Sequence, residues 1–293
     1  MINYILIAAI AWITFGVVNL IEKFILIKPL RNPIGLAFYT GIFAIFPVII
    51  FLPLARFSSW PHIIFDIFCG VIFFIGQLLL YQALFSGDAG EVIPVTGSLV
   101  PVFTLIISLF ALHLNFTFKE VSAIALFVCG TFLLSEPKHF MNKRIMGDAI
   151  AASLFFALYY SLIKIAYTPF EANFAFVRMG SFAAALPILA VGSLRRQIFV
   201  KQPDRGRKLS GLIVTKEILA GLAFIALNYA ISIGNPAVAN AMQGVEYAFV
   251  FLAALFLTEH GPKILKESIN HETSERRFLA IILIFIGLII LQI

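Results

Sequence analysis

Charge is scarce in this sequence. Only 12% of its 293 residues are Asp, Glu, Lys or Arg, against 61% that are hydrophobic, and the mean hydropathy is +1.01. Soluble globular domains carry roughly a quarter charged residues, so the composition argues against a soluble enzyme, a nucleic-acid binder and a receptor with one span. Cysteine is nearly absent: Cys69 and Cys129 each stand inside an apolar run, with no CxxC and no bridge framework. Both read as lipid-facing or core-packing residues. Also missing are GxGxxG, GxxxxGK[ST], HExxH and GxSxG, and His62, His113, His139, His260 and His271 are too scattered for a metal cluster. No cofactor and no catalytic residue is therefore expected.

Long apolar runs are what the chain does have. A helix crossing a bilayer needs about 20 apolar residues, and with short connectors the length divides into about ten spans. The runs fall at 3–21, 34–55, 62–85, 92–112, 119–135, 147–167, 173–194, 213–233, 237–258 and 277–293. The expected fold is all-α, a polytopic membrane protein with ten transmembrane helices and no room for a soluble domain. Residues 1–21 lack the charged beginning of a signal peptide and form too long a run for one, so they read as a retained first helix. Pro47, Pro94, Pro101 and Pro187 fall inside spans, which predicts kinked helices around a cavity.

The formal net charge is +6. Of the 21 Lys and Arg residues, all but Arg56, Lys119, Lys164 and Arg178 fall to one side of the ten-span arrangement. Positive charge so placed records topology and headgroup contact rather than nucleic-acid binding. It predicts cytoplasmic basic connectors and both termini outside. The run from Arg195 to Lys208 reads in the same way, as a headgroup-facing or solvated loop.

An internal repeat organises the spans. A shift of 147 positions superimposes Ala83, Gly87 and Gly97 on Ala230, Gly234 and Gly244; shifts of 139 and 157 bring Gly41 to Gly180 and Gly130 to Gly287. These blocks are collinear and divide the chain into 1–137 and 138–293. Five spans per half is an odd number, so the second half enters the membrane from the opposite side. Inverted repeats favour alternating access, with a midplane site lined by interrupted helices. Spans four and nine are the leading candidates.

Tyr81 to Phe110, with Ala83, Gly97 and Val100-Pro101-Val102-Phe103-Thr104, resembles the first repeat of EamA-like transporters in the drug/metabolite transporter superfamily. Asn228 to Glu259, with Ala230, Gly244 and Glu246, resembles the second. The resemblance covers nearly the whole chain and implies ten helices in two repeats that move small metabolites, often outward. It also implies termini inside, against the charge count. Arg178 looks like the arginine many members carry near the start of span seven, and Tyr39 takes that place in the first half. Departures are Tyr247, where a proline often follows the glutamate, and a long connector from Glu259 to Arg277.

Glu246 is the residue most suited to chemistry. A carboxylate about ten residues into an apolar span is costly, and such residues face a cavity or partner and often bind protons or cations. The competing structural role is a fixed hydrogen bond or a charge pair with Arg178. Arg178 itself either snorkels to the interface or holds a substrate carboxylate or phosphate. Lys164, near the end of span six, reads as snorkelling. Asn240, Gln243, Glu246 and Tyr247 share one helix face by spacing, with Asn228 nearby, as cavity lining or as packing glue. Gln82, Thr96 and Ser98 in or beside span four, and Asn19 in span one, are weaker candidates. Trp12, Tyr159 and Tyr160 suit packing or interfacial anchoring better than substrate walls. Asn235-Pro236-Ala237 reads as a helix-start turn.

Taken together these features describe a secondary transporter in the cell (inner or plasma) membrane. Its partners are the lipid bilayer and a small organic substrate, with proton coupling through Glu246 and no nucleic acid. A lipid-linked carrier flippase is the alternative within transport. A membrane-embedded lipid-modifying enzyme is the alternative from another class.

Overall fold

The computed structural model describes residues 3–25, 33–55, 59–87, 89–134, 142–166, 169–198, 207–260 and 271–292. Every regular element among them is helical, because an apolar chain in lipid has to satisfy its backbone within the segment. In chain order they are α1 (Tyr4–Ile25), α2 (Pro33–Phe43), α3 (Ile45–Phe51) with a 3-10 turn at Leu52–Leu54, α4 (Trp60–Ser86), α5 (Ala89–Phe110), α6 (Phe118–Leu134) and α7 (Lys143–Ala166). There follow α8 (Phe170–Ala185), α9 (Pro187–Ala190), α10 (Gly192–Ile198), α11 (Arg207–Ile233), α12 (Pro236–Ala241), α13 (Gln243–His260) and α14 (His271–Gln292).

Each apolar run thus becomes one helix or a helix with an interruption. Six stretches among the described residues are long and apolar enough to cross a membrane: Tyr4–Ile21, Pro33–Leu54, Trp60–Ser86, Lys143–Ala166, Phe170–Ala190 and Val214–Ile233. Val95–Phe110 is a shorter apolar helix. Exposed side chains recur at helical spacing along these elements, as Leu6, Ile10 and Ile13 on α1, Ile64 and Phe68 on α4, and Val214, Ile218 and Leu222 on α11. Such outward apolar stripes are what lipid contact requires. Cys129 lies exposed and Cys69 buried, so the two thiols divide between the two settings expected of them.

Proline predicts some of the interruptions. Span two breaks at Ala44, three residues before Pro47, and span seven at Leu186, directly before Pro187. A proline has no N–H to return to the preceding turn, so the ladder opens on its N-terminal side. Pro94 and Pro101 leave α5 a single helix, since neighbouring backbone and hydroxyl groups can take up a freed carbonyl. The break at Met242, between α12 and α13, has no proline within it.

The helices gather into two compact units, interleaved in sequence: 1–29, 114–136 and 203–293 form the first, 30–113 and 137–202 the second. In the first, α1 packs on α11 and α13, and α6 on α14. The α6–α14 contact is reciprocal. Gly130 lies against the Ala280 carbonyl and Ile284, while Gly287 lies against the Ala123 carbonyl and Phe127. In the second unit α4 packs on α7 and α8, and α5 on α7. There the α4 and α8 backbones touch: a side chain at Gly70 would strike the Val177 carbonyl, and one at Gly180 the Ile67 carbonyl. Phe38, Phe74, Ala185, Ile188 and Ile198 form one buried apolar cluster of this unit, and Ala83, Val92 and Ala149 form another.

Candidate functional site

In the first unit the site grows from the start of α12. Thr117 and Glu120 form a capping box ahead of α6: Glu120 Oε2 accepts from Thr117 N at 2.9 Å, and Thr117 Oγ1 from Glu120 N at 3.3 Å. The other Glu120 oxygen accepts from Asn235 Nδ2 at 3.3 Å. Asn235 then caps α12, its Oδ1 accepting from Ala237 N at 3.0 Å with Pro236 next in line, which is the helix-start turn the sequence predicts. Six residues later the helix stops, and α13 begins at Gln243.

Helix α1 runs alongside this interruption and holds it at four levels. Tyr4 packs on Gly234. Trp12 Nε1 donates to the Ala239 carbonyl, in the last turn of α12, at 2.7 Å. Gly16 leaves room for Phe249 and for the Glu246 carbonyl, which a side chain there would meet at 2.6 and 3.4 Å. Asn19 Nδ2 donates to Glu246 Oε1. Trp12 is therefore a structural anchor, as its packing role predicts, while Asn19 proves to be the amide that receives the buried carboxylate.

Glu246 is 4% exposed. Asn240 is 1% exposed, and neither its Nδ2 nor its Oδ1 has a hydrogen-bond partner among the described residues. An amide so placed forfeits about 1–3 kcal/mol per unmet group unless a ligand or water answers it. Gln243 and Tyr247, one turn apart, are half-buried. Asn228 on α11 is fully buried and donates to its own helix, to Phe224 O at 2.8 Å. The break at Met242 separates Asn240 from Gln243, Glu246 and Tyr247, so the four do not form the single uninterrupted helix face that spacing alone gives.

The remaining candidates lie in the second unit. Arg178 is buried in the middle of α8, its guanidinium 5.4 Å from the Phe73 ring centre, an arrangement that favours a cation over an aromatic face. It does not snorkel to the surface. Phe73 in turn meets Tyr159 and Phe156 of α7. Lys164 is half-buried near the end of α7. Thr96 gives its hydroxyl to Val92 O at 2.9 Å and Ser98 to Val95 O at 3.0 Å, so both serve their own helix. Gln82 is half-buried. A polar chain absent from the sequence reading joins α2 to α4: Gln77 Nε2 donates to Tyr81 OH at 2.6 Å, which lies 3.1 Å from Thr40 Oγ1.

A charged residue and an unanswered amide beside a helix break, within an all-helical chain of many apolar spans, define a multi-pass membrane protein with a polar interior. Residues 2–136 match the EamA-like transporter family, part of the drug/metabolite transporter superfamily. A curated relative, the uncharacterized protein MJ1333.1 of Methanocaldococcus jannaschii, is 37% identical over 71 residues, which are 24% of this chain. The chain spans about half of that relative's length, 51%. One crystal structure, 16% identical, aligns over 98% of this chain and 94% of its own with a TM-score of 0.68; at that identity it shows the fold alone.

Proposed function

We propose that the protein is a secondary transporter that exports a small organic metabolite across the cell membrane by alternating access, with Glu246 coupling transport to protons. On this reading 1–137 and 138–293 are inverted five-helix repeats. The match of residues 2–136 to a transporter family supports the activity. The reciprocal Gly130–Ala280 and Gly287–Ala123 contacts support the repeat, because the sequence alignment pairs those same residues across the halves.

The observation that carries the site is the helix break itself. Glu246 lies one turn into α13 with its carboxylate on Asn19, and Asn240 lies in the last turn of α12 with its amide unanswered. Interrupted helices expose backbone and polar side chains where a substrate can use them. A carboxylate received by a neutral amide can take up a proton by exchanging that hydrogen bond for another. Asn240 is the group that contacts substrate, and Arg178, Gln243, Tyr247, Asn228, Thr96 and Gln82 are secondary polar positions.

The test is a thermal-unfolding screen of purified protein against amino acids, nucleotides, sugars, polyamines and lipid carriers, for wild type and Glu246→Gln at two pH values. A ligand that binds the folded state at a hundred times its Kd adds about 2.7 kcal/mol to stability. The expected result is a stabilising soluble compound whose pH dependence vanishes in Glu246→Gln. An unchanged pH dependence in the variant would sink the coupling role, and stabilisation by lipid carriers alone would make the protein a flippase.

A further inference from the structure

Three uncharged polar side chains of the second unit are joined by hydrogen bonds inside apolar helices. Gln77 Nε2 of α4 donates to Tyr81 OH at 2.6 Å, and Tyr81 OH lies 3.1 Å from Thr40 Oγ1 of α2. The lipid-facing stripe of α4, with Ile64 and Phe68 exposed, looks the other way. Gln77 follows Phe68 by nine residues, two and a half turns, and therefore stands on the opposite side of the helix. Its neighbours one turn before and after agree with that placement. Phe73 meets Arg178 of α8 and both Phe156 and Tyr159 of α7, and Tyr81 meets Thr40 of α2. Yet Thr40, Gln77 and Tyr81 are all only half-buried. A polar side chain that faces neighbouring helices and is still partly exposed borders an internal space rather than lipid.

The bond to Tyr81 also fixes the Gln77 amide. With Nε2 engaged, Oε1 points away from the phenol, and no described group donates to it. The Tyr81–Thr40 contact can be donated from either side. An acceptor beside rotatable hydroxyls is matched by a ligand group that both donates and accepts. Charge narrows the choice. The Arg178 guanidinium lies at the Phe73 ring, one turn from Gln77. The buried acid of α4, Asp66, is 1% exposed with Oδ2 unanswered among the described residues. It stands eleven residues from Gln77, about 16 Å along the helix. An ammonium at Gln77 would thus sit nearer to the like charge than to the opposite one, which disfavours it. We infer that Gln77, Tyr81 and Thr40 bind the hydroxyl groups of a small uncharged sugar or polyol. That such a compound is the transported solute rests on the function proposed above, whereas its binding does not.

The test titrates purified full-length protein in detergent at pH 6 with glucose or sorbitol, and with their cationic counterparts glucosamine and glucamine. Millimolar concentrations stay below those at which polyols stabilise proteins by exclusion from the surface, and the rise in unfolding temperature gives Kd. Glucose or sorbitol is expected to bind the wild type, and its amine counterpart about tenfold more weakly. Tyr81→Phe keeps the ring and removes the hydroxyl on which the other two side chains converge, so binding should weaken about tenfold. Thr40→Val, close in shape, should weaken it about threefold. Failure of both neutral compounds to bind the wild type overturns the site, as do equal affinities in the wild type and Tyr81→Phe, or amines that bind as well as their parents. If Tyr81→Phe does not fold, Thr40→Val decides: an unchanged Kd overturns the site. Binding of glucose or sorbitol without pH dependence would remove the coupling through Glu246 and leave this site standing. Stabilisation that depends on pH, by a compound without hydroxyl groups and indifferent to Tyr81→Phe, would do the reverse.

Discussion

Glu246 and Asp66 are both buried acids on long apolar helices, yet their surroundings differ in kind. Glu246 stands just past a helix interruption and is received by Asn19, on a helix that touches it through side chains and one small gap at Gly16. Asp66 stands on an unbroken helix whose backbone meets that of α8 with nothing between, and one of its oxygens is unanswered. The first is an acid provided with a partner and with neighbours able to shift. The second is an acid fixed beside rigid backbone.

That contrast can be broken most severely at Gly70. Gly70→Ala drives a methyl group into the Val177 carbonyl, and backbone cannot rotate away, so a loss of about 3 kcal/mol is expected, at the upper end for overpacking. Thermal unfolding in detergent measures it. Gly16→Ala meets the Phe249 ring instead, which can turn, and about 1 kcal/mol should suffice. Equal losses at the two glycines would erase the distinction between a rigid and a yielding contact.

Asn19→Leu sharpens the other side of the comparison. It removes the donor from a buried carboxylate, with an expected loss of about 2 kcal/mol. In a Glu246→Gln background the same substitution should cost markedly less, since the charge that needed the donor is gone, and a double-mutant cycle reads the difference. Additive losses would mean that Asn19 acts through packing. Trp12→Phe leaves the Ala239 carbonyl without its indole donor and should cost about 1 kcal/mol. Smallest of all is Gly221→Ala on α11, where nothing lies within 4 Å of the added methyl. A change within about 0.5 kcal/mol is expected there.

Much of the helical layout was legible because a bilayer imposes length and composition together: the apolar runs became helices, and Asn235-Pro236 capped one as its residue types require. Breaks at Ala44 and Leu186 followed from Pro47 and Pro187. The break at Met242 was hidden because no residue at that point forbids a helix; Trp12, far away in sequence, supplies a donor to the carbonyl in the turn before it. Glu246 and Asn240 were legible as polar residues in an apolar run. Their difference was not, since only the fold gives Glu246 a partner 227 positions away and leaves Asn240 without one among the described residues. Asp66 lies near the start of the apolar run 62–85, and only the fold shows it to be buried. The signal was present in its place a full two turns inside α4. Arg178, weighed evenly between surface and interior, is settled by the ring beneath it.

The sequence holds two tryptophans, Trp12 and Trp60. One has its indole bound to the carbonyl at the end of α12, whereas the other is 68% exposed at the start of α4. With Trp60→Phe the protein becomes a single-emitter fluorophore whose emission colour and lifetime report on that one indole bond. Any rearrangement that parts α1 from the end of α12 would then be visible as a spectral shift in real time, without a label.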